Sequence, residues 1–332
     1  MTRSSGPATM RAVVCPRYGP PDVIRVEDVE RPIPGDGDVL IRVREAVVTR
    51  ADMAFRAGEP FVARLFTGLR RPNSIPGGEF AGEVVSVGDD VTRFGAGDRV
   101  VGSTDTSFGA HAEYVSVPEG GVLATLPDPL SFGDTAGICD GGFTALYFLR
   151  EKANVRGGQR VLVNGASGAV GTYAVQLARH FGAQVTGVCS TSNLELVESL
   201  GADEVLDYTE TDFTEREAAY DVVFDAVGKR SFPACKRCLT PGGVYLTTVP
   251  SVGNVLWMLR TSVGRGKRAV FAASGLHQNV DDLRFLRGLL ESGEIRSVVD
   301  RRYPLDDVVE AHRYVEAGHK VGNVVLTMDH DD

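Results

Sequence analysis

The chain has 332 residues, 43% hydrophobic and 24% charged, the balance of a globular protein with a sizeable core and room for two domains. Its formal net charge of -9 is spread without a long run of either sign, which removes the electrostatic footprint of a nucleic-acid binder. No apolar run approaches the ~20 residues that cross a bilayer.

In chain order, the opening MTRSSGPAT is small and polar, and reads as a loose tail rather than a signal peptide. From there to about residue 133, β-branched runs alternate with Gly and Pro: RAVVCPRYG, DVLIRVREAVV, FAGEVVSVG, DRVVGS and HAEYVSVPE. This predicts a compact, antiparallel, barrel-like unit. The pattern then changes to strands alternating with helices. Strands are expected at 160–164, 184–189, 204–208, 221–225, 243–248 and 268–273, and helices at 171–181, 193–200 and 232–239. Strands joined by helical crossovers make a doubly wound parallel sheet. Beyond Gly275 come a helix in DDLRFLRGLLESG, a strand-like IRSVVDRRY, a helix in DDVVEAHRYVEAG and a last strand NVVLTM. An α/β unit flanked on both sides sends the two ends of the chain into one second domain, with the active site expected in the cleft between the domains.

The most informative run is RVLVNGASGAVGTYAVQLAR, Arg160 to Arg179. A β-branched strand enters Gly165-Ala166-Ser167-Gly168-Ala169-Val170-Gly171 and leaves in an amphipathic helix. Gly165 permits the tight turn, Gly168 lets a phosphate approach the backbone, and Gly171 lets the helix pack close on the strand. A dinucleotide pyrophosphate then sits on the free amides of the helix N-terminus. Three glycines alone are weak evidence, and the flanking strand and helix make them strong. The second strand ends VCSTSN, where an acid would bond the ribose 2′-hydroxyl and select NAD. Ser190, Thr191 and Ser192 offer hydroxyls instead, which favours NADPH, with NADH as the second option.

Of five cysteines, Cys235 and Cys238 form a CxxC with no second CxxC or His pair to complete a metal site. They read as structural, and the set fits a reducing, cytoplasmic compartment. Two segments stay open. GEPFVARLFTGLRRPNSIPGG reads as a lid over a flat hydrophobic acceptor, or as a surface loop whose aromatics dock on the barrel. SVGNVLWMLRTSVG holds the only tryptophan, Trp257, which walls a pocket or buries against the sheet.

PIPGDGDVLIRV, TRADMAFRAG, PGGEFAGEVVSVG, GAHAEYV, GGFTAL, NGASGAVGTYAVQLA, FDAVG and GNVVLT, in this order and spacing, resemble the medium-chain dehydrogenase/reductase superfamily. The similarity is to its zinc-independent quinone-reductase branch. The resemblance implies a GroES-like β-barrel catalytic domain from residues 10–133 and 276–332, and a Rossmann NAD(P)-binding domain from 134–275. Zinc-dependent relatives place a Cys where this chain has Thr49, a His where it has Gly78, and a third ligand near Asp140. Only Glu79 and Asp140 retain a ligating group, so no metal is expected. The family also implies cofactor contacts from Thr144, from Tyr208, from the backbone of Ala226 and Val227, from Ser274 and Gly275, and from Asn323 in place of a usual basic residue. Asn193 or Ser192 likewise stands where NADP-using relatives carry Lys or Arg. Thr49 takes the place of a polar residue facing the nicotinamide, or is a buried Thr bonded to backbone. Asp52 assists proton transfer, or caps the turn after a strand.

Without a Lewis acid, the expected reaction is hydride delivery to an acceptor that already stabilises negative charge, a quinone or an α,β-unsaturated carbonyl. The alternatives are an enoyl reductase or alcohol dehydrogenase of a biosynthetic pathway, or a cofactor-binding protein with little turnover. The sixth strand, RAVFAASG, makes an apolar sheet edge that needs covering. Relatives pair this edge across a two-fold axis, which implies a homodimer with a small hydrophobic acceptor as its other partner.

Overall fold

The structure, a computed structural model, describes residues 9–59, 61, 64–72, 75–128, 130–249, 251–264, 266–272 and 277–330. The chain divides into two compact units. One comprises Met1–Cys139, Gln278–Glu291 and Val299–Asp332; the other comprises Asp140–His277 and Ser292–Val298. Among the described residues, no helix is long and apolar enough to cross a membrane.

In the first unit, β1 (Thr9–Val14) and β2 (Arg25–Glu30) form an antiparallel ribbon. β3 (Asp38–Val48) is the axis of a seven-stranded sheet. Helices α1 (Arg50–Ala57) and α2 (Arg64–Thr67) follow it, and β4 (Glu79–Val87) then pairs along one edge. β5 (Arg99–Ser103) continues from β4. The other edge of β3 is shared: β6 (Tyr114–Pro118) takes residues 38–42. β7 (Val122–Thr125) adds to β5, and α3 (Phe132–Ala136) follows.

The second unit begins with α4 (Gly141–Leu146), and its sheet is parallel throughout. It contains β8 (Arg160–Asn164), α5 (Ala169–His180), β9 (Gln184–Cys189), α6 (Leu194–Ser199), β10 (Glu204–Asp207) and β11 (Tyr220–Asp225). It continues with α7 (Phe232–Cys235), β12 (Leu239–Thr247), α8 (Val252–Thr261) and β13 (Arg268–Phe271). The strand order β10-β9-β8-β11-β12-β13 is the doubly wound pattern, reversing direction at β8/β11. Runs such as Val161–Val163 and Val222–Phe224 are apolar without alternation because helices cover both faces of a parallel sheet.

The chain then returns to the first unit with α9 (Val280–Glu291), β14 (Val299–Pro304), α10 (Val308–Ala317) and β15 (Asn323–Thr327). β15 takes residues 45–48 of the shared β3 edge, and β14 pairs with it in parallel, the one parallel pair among the described strands of this sheet. Val39, Ile41 and Val43 point into a core shared with Phe80, Leu123, Val324 and Leu326, as the period-two alternation of a half-buried strand requires.

Several boundaries differ from the sequence expectation. β12 begins at Leu239 rather than 243, because Pro241-Gly242-Gly243 reads as a turn but is absorbed as a register shift between Tyr220 and Val222 of the partner strand. The helix expected at 232–239 therefore ends at Cys235. The helix expected at 193–200 starts as a 3-10 turn, Thr191–Asn193, and becomes α-helical at Leu194. Residue 273, the end of the expected sixth strand, lies outside the described residues.

α8 was not expected as a helix; Ser251 caps it by accepting the Asn254 amide. Its Trp257 meets Phe232 at 5.5 Å in a tilted pair and packs, partly buried, against the core beside the sheet, as the second reading of that ring expects. Val252, Leu256 and Leu259 of the same helix are 80%, 61% and 61% exposed. The segment after Gly58 docks on Tyr18 through its polar residues: the Tyr18 hydroxyl meets Thr67 Oγ1 at 2.7 Å and the Arg64 guanidinium lies over the Tyr18 ring. Phe61 is exposed instead of docked. All five cysteines are buried and unbridged, and Cys238 Sγ donates to the Cys235 carbonyl.

Candidate functional site

The glycine run separates into three jobs. Gly165 has φ +83, and a Cβ there would collide with Val227 Cγ2. A Cβ on Gly171 would be driven into the Gly165 carbonyl oxygen and to 2.8 Å from Ala166 Cα, so α5 packs directly on the turn. Gly168 sits in extended conformation as the N-cap of α5, and a Cβ there would meet only the Gly165 oxygen, at an ordinary 3.4 Å. The amides of Gly165 and Ala166 both donate to the Val188 carbonyl, which fixes the turn to β9. α5 has neither a side-chain cap nor an acidic residue in its first turn. The Gly168 amide closes the turn by donating to the Gly165 carbonyl. The result is an open cradle of helix N-terminal amides at Ala169, Val170 and Gly171, fit for a pyrophosphate.

At the end of β9, Asn193 Nδ2 donates to Ser167 Oγ at 3.1 Å and to Ser190 Oγ at 3.2 Å. Ser190 and Ser192 hydroxyls lie 3.3 Å apart. The Thr191 hydroxyl donates to the carboxylate of Asp207, a residue the sequence reading missed. Asp207 also accepts the Thr209 amide at 2.8 Å and the Thr209 hydroxyl at 2.7 Å. Those hydrogen bonds hold its carboxyl below the usual carboxylate range. The signal was present: β10 runs parallel to β9 with Asp207 opposite Cys189, so the two strands end at the same level. Tyr208, the next residue, is half exposed.

Asp225, inside FDAVG but given no role by the sequence reading, is fully buried at the end of β11. Its Oδ1 accepts Asn164 Nδ2 at 2.9 Å and the amides of Val227 and Gly228 at 3.2 and 2.9 Å. Its Oδ2 accepts the Arg230 amide at 3.0 Å and shares the Tyr245 hydroxyl, at 3.1 Å, with the Arg230 carbonyl at 2.7 Å. The Ala226 amide donates to the Asn164 carbonyl, so the backbone at Ala226 and Val227 is held on both sides. Thr144 is buried in the first turn of α4, its amide donating to the Asp140 carbonyl. Ser274 and Gly275 lie outside the described residues.

In the first unit, Thr49 and Asp52 form a capping box at the start of α1. Asp52 Oδ2 accepts the Thr49 amide at 2.7 Å and the Thr49 hydroxyl at 2.9 Å, while Oδ1 accepts the Gly77 amide at 3.1 Å. Gly77 has φ +92, and a Cβ there would come 2.6 Å from the His111 amide nitrogen. Asp52 therefore has both oxygens engaged, one closing the capping box and one holding Gly77, which is the geometry of its cap reading. Thr49 is buried, its hydroxyl donating to Asp52 Oδ2 and accepting the Asp52 amide at 3.4 Å, which leaves one lone pair for an outside partner. Asn323 is buried against Gly137 of the same unit, where a Cβ would lie 2.7 Å from the Asn323 amide carbon. Among the described residues, no three His, Cys, Asp or Glu side chains converge in a group able to hold a metal.

A parallel Rossmann sheet with a glycine cradle and a GroES-like sheet in one chain define the class of medium-chain dehydrogenases/reductases. The family described as alcohol dehydrogenase GroES-like domain matches residues 35–128, and the family described as zinc-binding dehydrogenase matches 200–326. The chain is 34% identical to 2-methylene-furan-3-one reductase of Solanum lycopersicum, over 98% of this chain and 81% of that protein. It is 31% identical to quinone oxidoreductase of Pseudomonas aeruginosa, over 93% of this chain and 97% of that one. A mycobacterial protein solved in complex with NADPH superposes with TM-score 0.80 at 30% identity, over 96% of this chain and 99% of the other. The chain belongs to the medium-chain dehydrogenase/reductase superfamily, and within it to the quinone oxidoreductase-like branch.

Proposed function

We propose that the protein is an NADPH-dependent reductase that delivers hydride to a quinone or an α,β-unsaturated carbonyl without zinc. The observation that carries this reading is the open amide cradle at Gly168, next to the Asp225-held loop at 226–228, in a chain with Thr49 and Gly78 at the zinc-ligand positions. When bound, the cofactor supplies the hydride. The chain supplies the rest: α5 amides orient the pyrophosphate, and Asp225 fixes the loop whose backbone flanks the nicotinamide half. Asp52 fixes the Thr49 hydroxyl by accepting its proton. A Thr and a Gly do not ligate zinc, so the acceptor must itself accommodate the negative charge that hydride brings. The first unit serves as the catalytic domain and the second as the cofactor domain. The NADPH complex of a relative and the absence of an acid at the end of β9 both support NADPH over NADH.

A panel of quinones, enones and simple alcohols tests the reading. Turnover is expected with the first two, with kcat/KM for NADPH above that for NADH. Cofactor binding without turnover on any acceptor supports a binding protein instead, and a ratio below one removes the NADPH preference.

The buried, unbridged cysteines support a reducing compartment, and we place the enzyme in the cytoplasm. β13 ends its sheet with one edge unpaired among the described strands, and the adjacent α8 exposes Val252, Leu256 and Leu259. An apolar edge of this kind calls for a partner, and we assign it to a second copy. Sedimentation at micromolar concentration is expected to give twice the chain mass; a monomer contradicts it.

A further inference from the structure

The hydroxyls at the end of β9 were read as donors for a 2′-phosphate, but the hydrogen bonds assign most of those protons elsewhere. Thr191 has one hydroxyl proton, and it goes to Asp207 Oδ2. Both protons of the Asn193 amide go to Ser167 and Ser190. What Thr191 presents to a ligand is therefore its lone pairs, which suit the hydroxyl of a ribose and repel the oxygens of a phosphate. Behind that hydroxyl stands a carboxylate that is itself only 8% exposed. Residues 188–196 and 205–211 contain no Lys or Arg to offset it.

We infer that Asp207 is a cofactor-specificity residue, which acts through Thr191 to hold the preference for a 2′-phosphorylated nucleotide down. The inference rests on the adenosine end of the cofactor lying at Ser190–Asn193, as in the proposed function. The carboxylate does this in two ways: it adds a like charge near the phosphate, and it turns Thr191 from a donor into an acceptor. Asn at position 207 reverses both. Its oxygen still accepts the Thr209 amide and hydroxyl, while its NH2 donates to Thr191 Oγ1 and releases the Thr191 proton toward the ligand. The acid at the end of the second strand, which ordinarily selects NAD, is thus replaced by an acid that arrives from the third strand and works at one remove.

Calorimetric titration with 2′,5′-ADP and 5′-AMP tests this without turnover. Relative to wild type, Asp207→Asn is expected to raise the ratio of 2′,5′-ADP to 5′-AMP affinity by about tenfold, the gain of one phosphate hydrogen bond and loss of one like charge. Affinity for 5′-AMP changes less than affinity for 2′,5′-ADP, since its ribose hydroxyl both donates and accepts. An unchanged ratio, or equal weakening of both ligands, overturns the inference. Should Asp207→Asn not fold, Asp207→Ser decides: it removes the like charge and frees the Thr191 hydroxyl, and is expected to raise the ratio by about threefold or more, and an unchanged ratio overturns the inference. If wild type binds 5′-AMP at least as tightly as 2′,5′-ADP, the NADPH reading falls, while the variant-to-wild-type comparison still decides the role of Asp207.

Discussion

Asp225→Ala is expected to lower the stability of the protein by about 3–5 kcal/mol, the cost of leaving a buried hydrogen-bonded network without its acceptor. Five donors converge on this carboxylate: Asn164 Nδ2, the amides of Val227, Gly228 and Arg230, and the Tyr245 hydroxyl. With Asp225 fully buried, water does not replace what is lost. Each orphaned buried donor costs about 1–3 kcal/mol if unrelaxed, so the total reflects partial collapse of the loop. Asp225→Asn keeps the volume but sets an NH2 against donors, and is expected to cost less, about 1–3 kcal/mol. Chemical denaturation reads both values, and a loss below about 1 kcal/mol for the alanine variant contradicts the account. NADPH affinity should fall in both, because residues 226–228 lose the group that fixes them.

Gly171→Ala is expected to cost about 3 kcal/mol, and with it most of the NADPH affinity. The added carbon meets a backbone carbonyl, which does not rotate away as a side chain does. That carbonyl belongs to Gly165, whose φ of +83 and whose hydrogen bond from the Gly168 amide fix the turn. Either α5 moves off β8 or the turn opens, and both destroy the cradle. Gly168→Ala is the contrasting case. Its site is roomy and its φ of -79 suits any residue, so the fold should lose no more than about 1 kcal/mol of stability while the methyl blocks the phosphate. Denaturation and NADPH titration on the two variants separate packing from binding. Equal stability losses for both contradict the division of labour among the glycines.

The glycine cradle was legible because its three positions answer to local rules: a positive φ, a close approach and an open face, each spelled by one residue. The parallel sheet was legible from its strand and helix alternation. Asp207 and Asp225 were not, because the partners that mark them are distant in sequence: Thr191, in the turn after β9, is 16 residues away and Asn164, on β8, is 61 away. Nothing in a local window marks such pairs. Asp52 shows the intermediate case: a cap was one of its two readings, but its hold on Gly77, 25 residues on, needed the fold. α8 escaped notice although Val252, Val255, Leu256 and Leu259 recur at helical spacing, because that apolar face points outward rather than into a core.

The central claim is hydride transfer from NADPH without zinc, on the strength of Thr49 and Gly78 where ligands would stand. The most direct measurement is NADPH oxidation with a quinone acceptor, before and after exhaustive treatment with a zinc chelator. The account predicts the same kcat/KM in both, with metal analysis showing well under one zinc per chain. Activity that is lost on chelation and restored by added zinc contradicts it.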